Sequence, residues 1–118
     1  MARPLLPDPL KRRHLLAAEL APERARELAE AYLSEGRIVD AIAFFAKADD
    51  RPGLEAIREQ AIASGDVFLL REASVALRQP IGPDVWAAIG DAAERAGLDG
   101  YAEEARRQRD RPASGAPT

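Results

Sequence analysis

LAEAYLSEGRIVDAIAFFAKADDRP, residues Leu28 to Pro52, carries two apolar stripes of helical spacing on either side of a single glycine. Ala25, Leu28, Ala29 and Tyr32 before Gly36 follow the i, i+3, i+4, i+7 pattern, which lines up one face of a helix. Ile38, Ala41, Ile42 and Phe45 repeat it afterwards. Gly36 is the natural stop between them, because glycine enters the left-handed conformation that ends a helix at little cost. The stretch therefore reads as a helical hairpin with a packed inner face.

Working outward, the same grammar recurs. Asp8 caps a helix with Pro9 at its first position, running from Pro9 to about Leu20. Pro22 restarts the chain into a helix reaching about Glu35, and the next covers Ile38 to Ala48. The cluster Asp49-Asp50-Arg51-Pro52-Gly53 is a break. Another helix ends at Gly65, and Asp66 caps a helix from Val67 to Leu77. Val67, Phe68, Leu69, Leu70, Ala73, Val75, Ala76 and Leu77 cover most of that helix's circumference, the mark of one buried between neighbours on both sides. After Pro80, Gly82 and Pro83, the stripe Trp86, Ile89, Gly90, Ala93 sets a helix ending near Gly97. In a last helix Leu98, Tyr101, Ala102 and Ala105 face inward, and Arg106, Arg107, Arg109 and Arg111 carry it into solvent. This makes residues 1–8 an extended arm, 9–111 one helical domain and 112–118 a flexible tail.

Composition agrees with helices throughout. Alanine supplies 25 of 118 residues, and alanine orders backbone with no side-chain entropy cost. Cysteine is absent, which removes disulfides, thiolate metal sites and a cysteine nucleophile and fits a reducing compartment, so a cytoplasmic location is expected. The formal net charge of −3 is unevenly spread: residues 1–14 carry +3, and the remainder holds 13 basic and 19 acidic groups. An acidic body argues against nucleic acid as a partner. No apolar run approaches the roughly 20 residues that span a bilayer.

Gly36, Gly65 and Gly97 divide three hairpins at intervals of 29 and 32 residues, the self-similarity of a helical solenoid. Ala25, Leu28, Ala29, Tyr32, Gly36, Ala41, Phe45, Ala48 and Pro52 resemble, nearly position for position, the tetratricopeptide repeat, and Trp86, Ile89, Gly90, Ala93, Gly97 and Ala102 look like a second copy. The middle copy departs from the pattern, with Arg58 where a small residue is expected and Ala61 in place of an aromatic; in the last copy Arg106 stands where an aromatic belongs. The resemblance implies an all-α, short right-handed α-solenoid of about three hairpins plus an N-terminal helix. Other two-helix repeats, or an irregular helical bundle, fit the same helices.

In proteins with such repeats the first helix of each hairpin lines a concave groove. The resemblance would place Glu23, Arg26, Glu30 and Leu33 there, then Glu55, Glu59 and Ile62, then Asp84, Asp91, Glu94 and Arg95. That acid-rich face would attract a basic segment. It lacks the lysines and asparagine with which one branch of the family clamps a carboxylate, which disfavours an acidic peptide terminus. The basic run Lys11, Arg12, Arg13, His14 is a solvated face, an anionic-surface contact or a docking piece, and it opposes the dipole of its own helix.

Catalytic chemistry has little to work with. His14 is the only histidine, Ser34 and Ser64 sit at turns, and neither Asp49-Asp50 nor Glu103-Glu104 has metal-site spacing. The expectation is a protein-interaction module, an adaptor or scaffold, without catalysis, metal or cofactor. The alternative is a structural subunit whose terminal helices pack on other chains. Phe45 is a core residue in this reading, so Phe45→Ala is expected to cost about 3–5 kcal/mol in a denaturant titration; a loss below about 1 kcal/mol means that the hairpin turns its other face inward.

Overall fold

The computed structural model describes residues 6–112. Most of the arm and tail expected at 1–8 and 112–118 therefore lies outside the described residues. Within them the fold is all-α, with seven helices and no strand: α1 Pro9–Ala17, α2 Pro22–Ser34, α3 Ile38–Lys47, α4 Arg51–Ser64, α5 Val67–Leu77, α6 Pro83–Arg95 and α7 Asp99–Asp110. The chain forms two compact units, Met1–Ile57 and Arg58–Thr118.

In the first unit, Asp8 caps α1 as its sequence implies, its Oδ1 accepting from the Lys11 amide at 2.8 Å. The helix stops at Ala17 rather than Leu20, and Ala18 is already extended. No residue of α1 is buried, so nothing repays a further turn, and the Lys47 Nζ takes the carbonyl of Leu16 at 2.7 Å. The break after α3 is also shorter than the cluster at 49–53 suggests. Asp49 takes the left-handed conformation (φ 53°), and Asp50 Oδ1 accepts from the Gly53 amide at 3.2 Å, so α4 already begins at Arg51.

Ala25, Leu28, Ala29 and Tyr32 are buried on α2, as their spacing implies. Tyr32 stacks on Phe44 with ring centroids 5.4 Å apart, the Arg37 guanidinium lies 4.9 Å from its centroid, and its hydroxyl donates to the Pro7 carbonyl at 3.3 Å. Phe44 lies outside the stripe of α3 that the spacing picked out, yet it is fully buried, because α3 is covered on two sides. Phe45, 3% exposed, serves the other side: a Cβ on Gly53 would stand 2.7 Å from its ring. That close approach requires glycine in the first turn of α4.

The second unit is built on Ala61, Val67, Leu70, Trp86, Ile89 and Ala105, joined by half-buried Ile62, Leu69, Ile81, Val85 and Tyr101. Asp66 caps α5 through the Leu69 amide at 3.0 Å. Arg58, where the repeat pattern expects a small residue, ties α4 to α5 instead: its Nε donates to the Oγ of buried Ser74 at 3.1 Å. The all-round apolar α5 is not covered all round. Phe68 is 50% and Val75 74% exposed, since only the face carrying Val67, Leu70, Ala73, Ser74 and Leu77 meets the core. Leu98 is likewise exposed, preceding α7 as its cap instead of filling its inner face.

Gly36, Gly65 and Gly97 share the same left-handed geometry, with φ between 75° and 78°. Their surroundings differ. A Cβ at Gly36 would meet open space, whereas one at Gly65 would stand 2.5 Å from the backbone N and Cα of Ala93 in α6. Gly36→Ala should therefore cost about 1–2 kcal/mol, the left-handed penalty alone, and Gly65→Ala a further ~1–3 kcal/mol of overpacking against backbone. Equal losses in urea unfolding would show that the turn after α4 does not touch α6.

Candidate functional site

The residues that the repeat resemblance singles out are mostly exposed and fall in both units. Glu23, Arg26, Glu30 and Glu55 are exposed and Leu33 half-buried in the first unit; Glu59, Asp84, Asp91, Glu94 and Arg95 are exposed in the second. Several already have partners. Arg26 pairs with Asp50 at 3.2 Å, and Glu94 with Arg106 at 2.6 Å, which ties α6 to α7. Ile62 is half-buried and packs against the apolar core. Of the basic run, Lys11, Arg13 and His14 are exposed, while Arg12 binds Asp40 of α3 at 3.3 Å, making α1 an attached helix of its unit. Asp50 caps α4 and holds Arg26, with only 13% of its side chain exposed.

A different site emerges in the second unit. The C-terminal half of α5, the loop 78–82, the start of α6 and the end of α7 enclose an open groove of about 730 Å³. Its apolar lining comes from Val75, Pro80, Ile81, Pro83 and Trp86. Trp86 is 7% exposed and anchors the groove in the core; Val75 stands almost free on the wall. Its charged lining comes from Arg71, Arg78, Arg109 and Arg111, and no carboxylate lines it among the described residues.

The four arginines are not equivalent. Arg71 is structural: its guanidinium lies 5.4 Å from the Trp86 ring centroid, and Nη2 reaches Glu104 Oε1 at 2.7 Å, so one side chain links α5 to α6 and α7. Arg109 pairs with its neighbour Asp110 at 2.9 Å. That hydrogen bond, with the guanidinium's charge, holds the Asp110 carboxyl below its ordinary pKa and raises that of Arg109. Both are fully exposed, so the pair stays ionised at neutral pH but adds little to stability. The Arg111 guanidinium donates to the neutral Gln108 amide oxygen at 3.2 Å and has no carboxylate partner among the described residues. The Arg78 side chain has no ion-pair or hydrogen-bond partner among the described residues.

Arg78 is also conformationally out of place. It ends α5 with φ 55° and ψ 38°, the left-handed geometry that Gly36, Gly65 and Gly97 take at the hairpin turns and Asp49 takes after α3. Its amide reaches the carbonyls of Ser74 and Val75, so the backbone role needs no side chain.

None of these lining residues stood out in the sequence as a site. Val75 and Trp86 looked like core, and Arg109 and Arg111 like solvating charge. The available signal was local: an arginine immediately after a helix and before Gln79-Pro80, where a glycine would be easier.

Among the described residues no three His, Asp or Glu side chains converge as metal ligands, and no helix is long and apolar enough to cross a membrane. No protein-family model, curated protein or solved structure matches the chain. The site is thus read from its own chemistry.

Arg78→Gly should stabilise the fold by about 0.5–1 kcal/mol, the relief of left-handed strain less the extra freedom glycine has when unfolded. A denaturant titration measures this directly. A loss of stability would mean that the Arg78 side chain holds the fold together.

Proposed function

We propose that the chain is a protein-interaction module, an adaptor or scaffold, that engages its partner through the groove between α5, α6 and α7. The observation that carries this reading is the exposure of Val75 beside an apolar groove that the core does not fill. Val75 adds to the lining of Pro80, Ile81, Pro83 and Trp86, and contiguous apolar surface around a concavity is what partners recognise. A wall as exposed as Val75 suits a protein segment better than a small molecule, whose pockets enclose most of the ligand. The shared geometry of the three glycine turns fits the same role, since helical-hairpin repeats are scaffolds for presenting surfaces. A basic partner on the acid-rich first helices has weaker support, because the acids are divided between two units and Glu94 is engaged by Arg106.

A second reading, a structural subunit of a larger assembly, is favoured by one observation. Phe68 and Val75 are both exposed, seven positions apart on α5, and so share a helical face that another chain could cover. A wild-type oligomer dispersed by Phe68→Asp in light scattering would establish it, and a monomer would dismiss it.

Selection of random displayed peptides on the purified chain, with Val75→Asp as the counter-target, tests the interaction reading. Val75→Asp is a surface change on a helix and should leave stability within about 0.5 kcal/mol. The expected result is a set of peptides that bind wild type and are lost on the variant; no enrichment, or enrichment indifferent to Val75→Asp, contradicts a docking role for the groove.

A further inference from the structure

Resting on the interaction reading, we infer that the occupant is an acidic protein segment carrying a large apolar side chain. Its anchor sits against Ile81 and Trp86 while its carboxylates are taken by Arg78 and Arg111. Charge complementarity decides the sign. Every ionisable side chain lining the groove is an arginine, although the chain as a whole is net acidic. Guanidinium groups favour carboxylates because their planar donors match two acceptor oxygens at once.

Occupancy of the arginines decides which of them read the partner. Arg71 is committed to Trp86 and Glu104, and Arg109 to Asp110. Arg78 has no partner among the described residues, and Arg111 has only an uncharged one, so a carboxylate gains a contact there without displacing an existing ion pair. Arg78 is moreover held at a backbone conformation where glycine would be easier, so the side chain is present at a cost to the fold. A basic or neutral segment would fill the apolar lining but leave both guanidinium groups facing like charge or nothing.

The apolar part of the site accounts for the anchor. Trp86 is buried against the core with its position set by Arg71, which gives the groove a rigid aromatic surface rather than an adaptable one. Rigid aromatic contacts next to arginines are the typical composition of binding hot spots.

Trp86 is the only tryptophan in the chain and lines the groove, so its fluorescence reports occupancy. The probes are three end-blocked peptides with a central leucine-phenylalanine pair flanked by glutamates, by lysines or by serines. The expected result is a saturable shift of Trp86 emission with the glutamate peptide alone or at least about tenfold more tightly than with the others, weakening as salt is raised. Arg78→Gln and Arg111→Gln should each weaken it by about tenfold, the loss of one charged hydrogen-bonded contact. Arg24→Gln, on α2 of the first unit and outside the groove, should change nothing.

Preference for the lysine or serine peptide would overturn the acidic occupant while leaving the groove as a docking site. No response to any of the three, in wild type that unfolds cooperatively, would overturn both. An emission shift that depends on protein concentration without peptide would show that a second copy occupies the groove instead.

Discussion

The second unit depends on how closely the turn after α4 approaches α6. At Gly65 the chain must be left-handed to reverse into α5, and the backbone of Ala92 and Ala93 fills the space where a side chain would stand. Only glycine meets both conditions. The contact sets the distance of α6 from the α4–α5 hairpin, and with it the position of Trp86 and Ile89 in the core. Close approach continues at Gly90, where a Cβ would come within 3.3 Å of the Ala105 Cβ on α7. Small residues thus bring three helices near enough for one arginine, Arg71, to touch both neighbours.

What those helices leave uncovered follows from the same packing. α5 offers one face to the core, so Phe68 and Val75 remain outside it, and the chain after Arg78 runs through Gln79-Pro80 before α6 can start at Pro83. Prolines there lack amide donors and contribute apolar surface, and the end of α7 supplies arginines opposite. A groove with an apolar lining and cationic walls results. The first unit differs: its aromatic pair Tyr32 and Phe44 is sealed by Arg37 and by the chain at Pro7, and Arg12 of α1 pairs with Asp40 of α3.

The helices were legible because their signals are local. Asp8 and Asp66 cap where their positions imply, α5 has the bounds its sequence sets, and Phe45 is core because period 3.6 places it with Ala41. Errors occur where tertiary packing decides. Leu98 and Val75 are apolar residues at helical spacing, yet spacing cannot say which side of an apolar helix has a neighbour. The groove was invisible for a related reason: it joins positions 71–86 to positions 108–112, and no short-range pattern links them. The acids on the first helices were legible one by one, but the sequence does not reveal that Arg106 engages Glu94 or that Asp50 holds Arg26.

Amide and indole chemical-shift mapping of the isotope-labelled chain during titration with the glutamate-flanked peptide tests the central claim most directly, since it locates binding without assuming where it occurs. Shifts should concentrate at Val75, Arg78, Ile81, the Trp86 indole and Arg111, leaving Glu23 and Glu30 of α2 unchanged. Shifts centred on α2, or spread evenly over the surface, would contradict a docking groove in the second unit.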